Sequence, residues 1–270
     1  MLQRGDNMEL NVEILNGDCI AVMDELIKKG KKFTHIITSP PYNSARRANS
    51  EYNLKHHSAR YDIQVESKTS QEYADWVVEI FKRFEYLLEP NGCIWNVSYS
   101  SASSISEIEC INSLWFSIYG VLKNTDFTIA DKIVWRKSSA LPNNVSPNKL
   151  TRICEDVFVF CRKSEYKTFH TNKKVKSISS KGQRYYENIF NYLEAPNNDE
   201  ANPLNKATFS TEFVEKLMEI YCRDGSSVLD PFCGTGTTLN ACLRKGFSGV
   251  GIELSKNQCE YAKDRLGIKL

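Results

Sequence analysis

Hydrophobic and polar positions along the chain follow two alternating periods. Short apolar runs of strand length, bounded by Gly, Pro, Asn or Asp, recur between longer stretches whose apolar residues return every three or four positions. Val12 to Leu15 reads as a strand ending at Gly17-Asp18-Cys19, then a helix with Met23, Leu26 and Ile27 on one face and a stop at Gly30. Phe33 to Ile37 is a buried strand. Thr69-x-x-Glu72 forms a capping box for a helix whose Trp76, Val77, Ile80, Phe81, Phe84, Leu87 and Leu88 make one apolar stripe, which assigns them to the core. Pro90-Asn91-Gly92 predicts a turn into a strand from Cys93 to Val97, and a second helix falls within Ser104 to Leu122. Thr128 to Trp135 and Val157 to Cys161 are further strands, separated by the loop Ser138 to Arg152. Tyr185 to Leu193 returns toward the core, and Asn197 to Asn205 is a polar connector. Thr211 is the expected N-cap of a helix with Phe213, Leu217 and Ile220 inward, leading to a strand at Val228. The last helix opens at Ser255-x-x-Gln258 and stops near Gly267. About seven strands with helices between them predict an α/β fold with a doubly wound sheet.

Two stretches break this pattern in a chemically informative way. Thr38-Ser39-Pro40-Pro41-Tyr42-Asn43 leaves the Phe33 strand through consecutive prolines, which lack N–H groups and fix φ, so the chain exits in a stiff, extended bend. Such a bend holds carbonyls, a hydroxyl and an aromatic face at a strand's C-terminal end, where ligands of open α/β sheets bind. Taken alone, it is equally an ordinary strand exit with a core tyrosine. Much later, Val228-Leu229-Asp230-Pro231-Phe232-Cys233-Gly234-Thr235-Gly236-Thr237-Thr238 runs from a strand through a Gly-x-Gly turn into a helix. It is neither a Walker loop, since no Lys-Ser/Thr follows the second glycine, nor a full dinucleotide fingerprint, since Leu239 stands where a third glycine belongs. An acid, Glu253, closes the next strand at the spacing expected of a ribose-binding carboxylate.

These two motifs together resemble the amino-directed DNA methyltransferases, which methylate N6 of adenine or N4 of cytosine. Thr38-Ser39-Pro40-Pro41-Tyr42 resembles their catalytic loop and Asp230 to Thr238 their S-adenosylmethionine loop. The catalytic loop comes first, which is the order of the circularly permuted beta group. The resemblance implies a seven-stranded, Rossmann-like methyltransferase sheet formed by residues 1–161 and 196–270, with residues 162–195 as a target-recognition insertion. It implies that Ser39, Pro40, Pro41 and Tyr42 are catalytic. It also implies a cofactor site of Asp18, Thr38, Asp230, Phe232, Gly234, Gly236, Thr237 and Glu253, with Asp230 on the methionine amino group, Glu253 on the ribose and Asp18 on the adenine amine. Ser before Pro-Pro points to cytosine-N4, with adenine-N6 the alternative. Family members commonly carry His-Pro-Ala-x-Phe-Pro before the cofactor helix; here Asn205-Lys206-Ala207-Thr208-Phe209-Ser210 keeps only the Ala and Phe.

Composition narrows the partners. The 270 residues are 41% hydrophobic and 25% charged, long enough for one large domain with an insertion. No apolar run approaches the roughly 18 residues of a membrane span. The nine cysteines lack a Cys-x-x-Cys pair, which argues for reduced thiols in a cytosol and against zinc, so no metal is expected. The net charge of +2 is uninformative, but its distribution is not. Arg46, Arg47, Lys55 and Arg60 sit in an aperiodic stretch beside the first motif. From Arg162 to Arg184 there are eight Lys or Arg residues, among them Lys173, Lys174, Lys176, Lys181 and Arg184, against the single acid Glu165, with Tyr166, Phe169 and His170 interleaved. That mixture suits phosphate contact with base or sugar packing, although a charge run is also the ordinary mark of a solvated face. With the family resemblance, the expected partner is double-stranded DNA, and the resemblance implies a cognate restriction endonuclease alongside, in the cytoplasm of a prokaryote or as a phage product, with the chain acting as monomer or homodimer. An RNA or protein-amide methyltransferase and a non-catalytic nucleic-acid-binding module are the rival readings.

Overall fold

The computed structural model describes residues 12–43, 68–98, 108–140, 142, 144, 147–148, 150–199 and 208–268. Its main sheet is built from β1 (Val12–Asn16), β2 (Phe33–Thr38), β3 (Leu88–Ser98), β4 (Phe127–Lys137), β5 (Cys154–Arg162), β8 (Tyr192–Ala195), β9 (Ser227–Asp230) and β10 (Ser248–Glu253). The strand order is β1-β10-β9-β2-β3-β5-β4-β8. Every pairing is parallel except those of β5, which runs antiparallel to both β3 and β4. The sheet thus has one strand more than the seven expected. The stretch read as returning to the core ends in β8, which pairs with β4 at the sheet's edge. Two short strands, β6 (Val175–Ile178) and β7 (Arg184–Tyr186), form a separate exposed hairpin.

Helices cover both faces because adjacent strand residues point to opposite sides. Ile36 and Ile94 face one core, with Met23 and Leu26 of α1 (Cys19–Lys28), Phe81 and Phe84 of α2 (Ser70–Leu87), and Ile118 of α3 (Ile108–Asn124). Their neighbours Ile37 and Trp95 face the other, with Phe213 and Leu217 of α4 (Thr211–Tyr221), Leu239 of α5 (Thr237–Lys245) and Ala262 of α6 (Lys256–Leu266). Trp135, fully buried, stacks on Phe213 with ring centroids 4.2 Å apart. Truncating such a ring costs about 3–5 kcal/mol. No helix among the described residues is long and apolar enough to cross a membrane.

Local signals place most boundaries. The Thr69–Glu72 capping box forms reciprocally, Ser255 caps α6, and Gly267 ends it in the left-handed region. Two readings change. The Pro90-Asn91-Gly92 turn is absorbed into β3: Asn91 takes φ 59°, and the pairing with β2 slips between Phe33 and His35. Gly92 is required there, because a Cβ would lie 2.4 Å from the Thr34 carbonyl oxygen. The cap of α4 is Ser210, whose hydroxyl accepts the Phe213 N–H, because Thr211 is already engaged: both its N–H and its hydroxyl donate to Asp199.

The topology fixes where a ligand can bind. From β9 the chain crosses through α5 to β10 on one side, whereas from β2 it crosses through α2 to β3 on the other. β9 and β2 are neighbours, pairing His35 with Val228 and Ile36 with Leu229. The sheet's switch point lies between them, and a crevice opens at their C-terminal ends. Both sequence motifs begin there.

Candidate active site

The crevice is a cavity of about 190 Å³. Gly17 and Asp18 reach it from the end of β1, Ser39 and Pro41 from β2, Pro231 to Gly234 and Thr237 from the β9–α5 turn, and Glu253 from β10. The β1–β10–β9 neighbourhood, with Asn16 opposite Glu253, brings Asp18 next to the late-sequence acid, as the permuted order requires.

Each acid is held by backbone N–H groups. Glu253 accepts Gly234 N–H at Oε2 (3.0 Å) and Ser255 N–H at Oε1 (2.8 Å), so it is locked to the glycine turn. Asp18 caps α1, its Oδ1 accepting from Ile20 and Ala21 at 3.0 and 3.1 Å, and its Oδ2 has no partner among the described residues. Asp230 is 2% exposed and serves the loop from within, its Oδ1 accepting Phe232 N–H (3.0 Å) and its Oδ2 the Thr238 hydroxyl (2.5 Å). Burial raises its pKa to about 6, with the nearby Glu253 charge acting the same way and the two hydrogen bonds opposing. Asp230 does not line the cavity among the described residues.

Two other expected cofactor residues also stand back from it. Thr38 is fully buried and its hydroxyl has no hydrogen-bond partner among the described residues, nor has Oδ1 of Asn96, its register partner on β3. Gly236 sits at the N-cap of α5 with φ 81°, and a Cβ there would meet Ala262 and Leu266 of α6 at 3.2 Å. Its role is backbone conformation and helix packing rather than lining. Phe232, Gly234 and Thr237 do line the cavity.

The proline bend is a partition. Ser39 and Pro41 face the larger cavity, while Pro40 and Tyr42 line a smaller one of about 20 Å³ with Asn96 and Ser98. Tyr73 borders both. The Ser39 and Tyr42 hydroxyls are 3.2 Å apart. Asn43 N–H donates to the Pro41 carbonyl (2.8 Å), closing a tight turn in which Asn43 has φ 49°. The Asn43 amide then clasps the Lys68 backbone: Nδ2 donates to its carbonyl at 2.7 Å and Oδ1 accepts its N–H at 2.9 Å.

Several of these residues escaped the sequence reading. Trp76 belongs to the stripe assigned to the core and Tyr73 lies outside it, yet both line the cavity, where Trp76 meets Phe232 with ring centroids 5.7 Å apart. Asn43 and Lys68 carried no pattern signal. Thr208 and Phe209, in the segment that departs from the resembled motif, also line the cavity.

Of the basic residues, Arg162 is structural: it is half-buried and donates to the carbonyls of Glu85, Leu88 and Glu89. Lys163 caps the end of α3 through Leu122 and Thr125 carbonyls. Lys173, Lys174, Lys176, Lys181 and Arg184 are exposed on and around the β6–β7 hairpin, beside exposed Tyr185 and Tyr186. Arg46, Arg47, Lys55 and Arg60 lie outside the described residues.

Residues 33–264 match the N6/N4 DNA methylase family, and the chain belongs to it. The chain is 25% identical over 293 residues to the Type II methyltransferase M.Cfr9I of Citrobacter freundii, covering 98% of this chain and 91% of that protein. It is 22% identical over 292 residues to the Type II methyltransferase M.MjaI of Methanocaldococcus jannaschii, covering 96% and 92%. In fold it is similar to the cytosine-N4-specific PvuII DNA methyltransferase, with TM-score 0.65 and 16% identity over 94% of this chain and 86% of that one. It is similar also to M1.HpyAVI, with TM-score 0.61 and 22% identity over 96% of this chain and 100% of that one.

Proposed function

We propose that this DNA methylase uses the switch-point crevice to methylate the exocyclic amine of a base rotated out of double-stranded DNA, with N4 of cytosine as the target. The observation that carries this reading is the meeting of Ser39 and Pro41 of the proline bend with Pro231 to Gly234 and Thr237 of the glycine turn across one cavity.

The donor set fits S-adenosylmethionine, the family's methyl donor. Glu253 and Oδ2 of Asp18, unpartnered among the described residues, are acceptors suited to ribose hydroxyls and an adenine amine, and Phe232 and Trp76 supply apolar walls. Asp230 organises the turn that presents Phe232 and Gly234, and is assigned to the cofactor's amino end through that turn. S-adenosylmethionine supplies a methyl group activated on a sulfonium.

The chain's own task is to make a poor nucleophile competent. The amine lone pair is delocalised into the base ring, and acceptors that grip its hydrogens favour a pyramidal nitrogen with the lone pair restored. Ser39 Oγ and the Pro40 carbonyl are those acceptors, Pro41 stiffens the bend, and Tyr42 offers a ring against which the extruded base stacks. No covalent enzyme intermediate is needed. The two thiols lining the cavity suit none: burial pushes Cys19 up to about 12 and Cys233 well above its ordinary value, so neither is a ready thiolate.

The β6–β7 hairpin, with Lys173, Lys174, Lys176, Lys181 and Arg184, is assigned to DNA contact and target choice, together with Arg46, Arg47 and Arg60. M.Cfr9I and M.MjaI are named as Type II methyltransferases, which supports a cognate restriction endonuclease acting on the same target sequence. Sequencing modified bases in DNA from cells expressing the chain tests this reading. Methylated cytosine within one recurring sequence, absent with Ser39→Ala, is expected; unmodified DNA sinks it.

A further inference from the structure

Lys68 lies just before Thr69, the N-cap of α2, and is the only Lys or Arg among the described residues lining the cavity. The other ionisable carboxyls there, Asp18 and Glu253, come from β1 and β10, on one side of β9. Lys68 comes from the other side, where β2 leads through the proline bend toward α2. The cavity therefore has acids at one end and a cation at the other.

No carboxylate among the described residues forms an ion pair with the Lys68 ammonium; Glu72 is near enough to feel its charge but is engaged by the Thr69 N–H and hydroxyl, and the Lys68 backbone is unusually well held. Asn43 fixes the Lys68 N–H and carbonyl with two hydrogen bonds, and the same amide donates to Ser113 Oγ at 3.0 Å. On its other side the chain is fixed by the capping box. Asn43 is itself two residues beyond Pro41, in the turn closed on the Pro41 carbonyl. The position of Lys68 is thus tied to the catalytic bend, while its charge is left for something that enters the cavity. An ammonium outside any ion pair, beside a partly apolar cavity, favours an anion.

We infer that Lys68 binds the α-carboxylate of the amino-acid end of S-adenosylmethionine. This rests on the cofactor reading above and deepens it. The adenosine end of that molecule presents hydroxyl and amine donors, which match Asp18 and Glu253. Its amino-acid end carries the only anionic group, and it hangs from the same sulfonium whose methyl must reach Ser39 and Pro40, which keeps it within a few bonds of the bend. Lys68 is the side chain of matching charge there. A DNA phosphate flanking the extruded nucleotide has the same charge, and the test separates the two.

Calorimetric titration of the whole chain with S-adenosylhomocysteine and with 5′-methylthioadenosine, which lacks the amino-acid end, distinguishes them. Lys68→Met should lose roughly ten- to a hundredfold in affinity for S-adenosylhomocysteine, the range for one hydrogen bond to a charged group. Its affinity for methylthioadenosine should match the wild type, which also shows that the variant is folded. Lys68→Arg should recover most of the loss. Wild-type affinity of Lys68→Met for S-adenosylhomocysteine, with weaker and less salt-dependent DNA binding, would assign the residue to phosphate and overturn the inference. Equal weakening for both ligands would reduce Lys68 to a structural role. Failure of the wild type to bind either would remove the cofactor reading itself, and the inference with it.

Discussion

Gly234 and Glu253 are joined: the glycine N–H donates to Glu253 Oε2 at 3.0 Å, which ties the turn after β9 to the end of β10. Glu253 therefore both shapes the turn and faces the cavity. Glu253→Ala should weaken S-adenosylhomocysteine binding by about 1–3 kcal/mol, the cost of removing hydrogen bonds to a charged group. Calorimetry checks this, and unchanged affinity would remove Glu253 from the cofactor site.

Arg265 ties the approach to the cavity. Its guanidinium donates to Asp199 Oδ2 (2.5 Å), to the Thr235 carbonyl and to Thr237 Oγ1 (3.3 Å each), while Asp199 also accepts the Thr211 N–H. The pair joins the segment entering α4 to the cofactor turn. Asp199→Asn and Arg265→Met should each raise KM for the cofactor several-fold with a smaller change in kcat. In the double variant the effects should be less than additive, because the second change removes a pairing already lost. Full additivity would show that the pair does not act as a unit.

Two buried groups pull stability in opposite directions with pH. His35, 3% exposed and stacked on Trp95, has its pKa lowered to about 3, first by burial and then by the neighbouring His170 charge. Its native state prefers the neutral ring, so its contribution is full above the unfolded value near 6.5 and is lost as pH falls toward 3. Asp230, raised to about 6, prefers the proton when folded; its contribution is present below 3.8 and lost as pH rises through 6. Urea unfolding between pH 4 and 8 should show Asp230→Asn losing stability on acidification more steeply than the wild type. His35→Gln should lose it less steeply. At pH 7 Asp230→Asn should be at least as stable as the wild type yet bind cofactor worse, and identical pH slopes in all three would contradict the assignment.

The exposed hairpin lysines make a separate test. Neutralising Lys173, Lys174 and Lys176 together should weaken DNA binding and reduce the slope of log affinity against log salt by about one unit per lost phosphate contact. An unchanged slope in the folded variant would leave the hairpin as a solvated face.

The sequence was most legible where chemistry is local. The Thr69–Glu72 box, the Ser255 cap, the glycine turn and the proline bend each depend on neighbours within a few residues, and the apolar periods located the strands between them. What was not legible depends on contacts across the sheet. Nothing local marks Asn43 as the clasp of Lys68, or Arg265 as the partner of Asp199. Trp76 looks like a core residue because its helix stripe is continuous; only the placement of the first turns of α2 beside the crevice makes it a cavity wall, together with Tyr73. The same limit set Asp230 at the cavity surface, whereas the fold uses both of its oxygens to build the turn. β8 was visible only as a return to the core, since its pairing with β4 is made across the chain.

The central claim is that methyl transfer ends on an exocyclic amine of DNA, at the Ser39 bend. Incubating the chain with duplex DNA and S-adenosylmethionine carrying an isotopically labelled methyl, then digesting to nucleosides and separating them by mass, measures this directly. The label should appear in N4-methylcytosine and fall about a hundredfold or more with Ser39→Ala, the scale on which one preorganised hydrogen-bonding group contributes. N6-methyladenine alone would change the base and leave the amine-directed chemistry in place, whereas label in 5-methylcytosine, or none in DNA, would contradict the account.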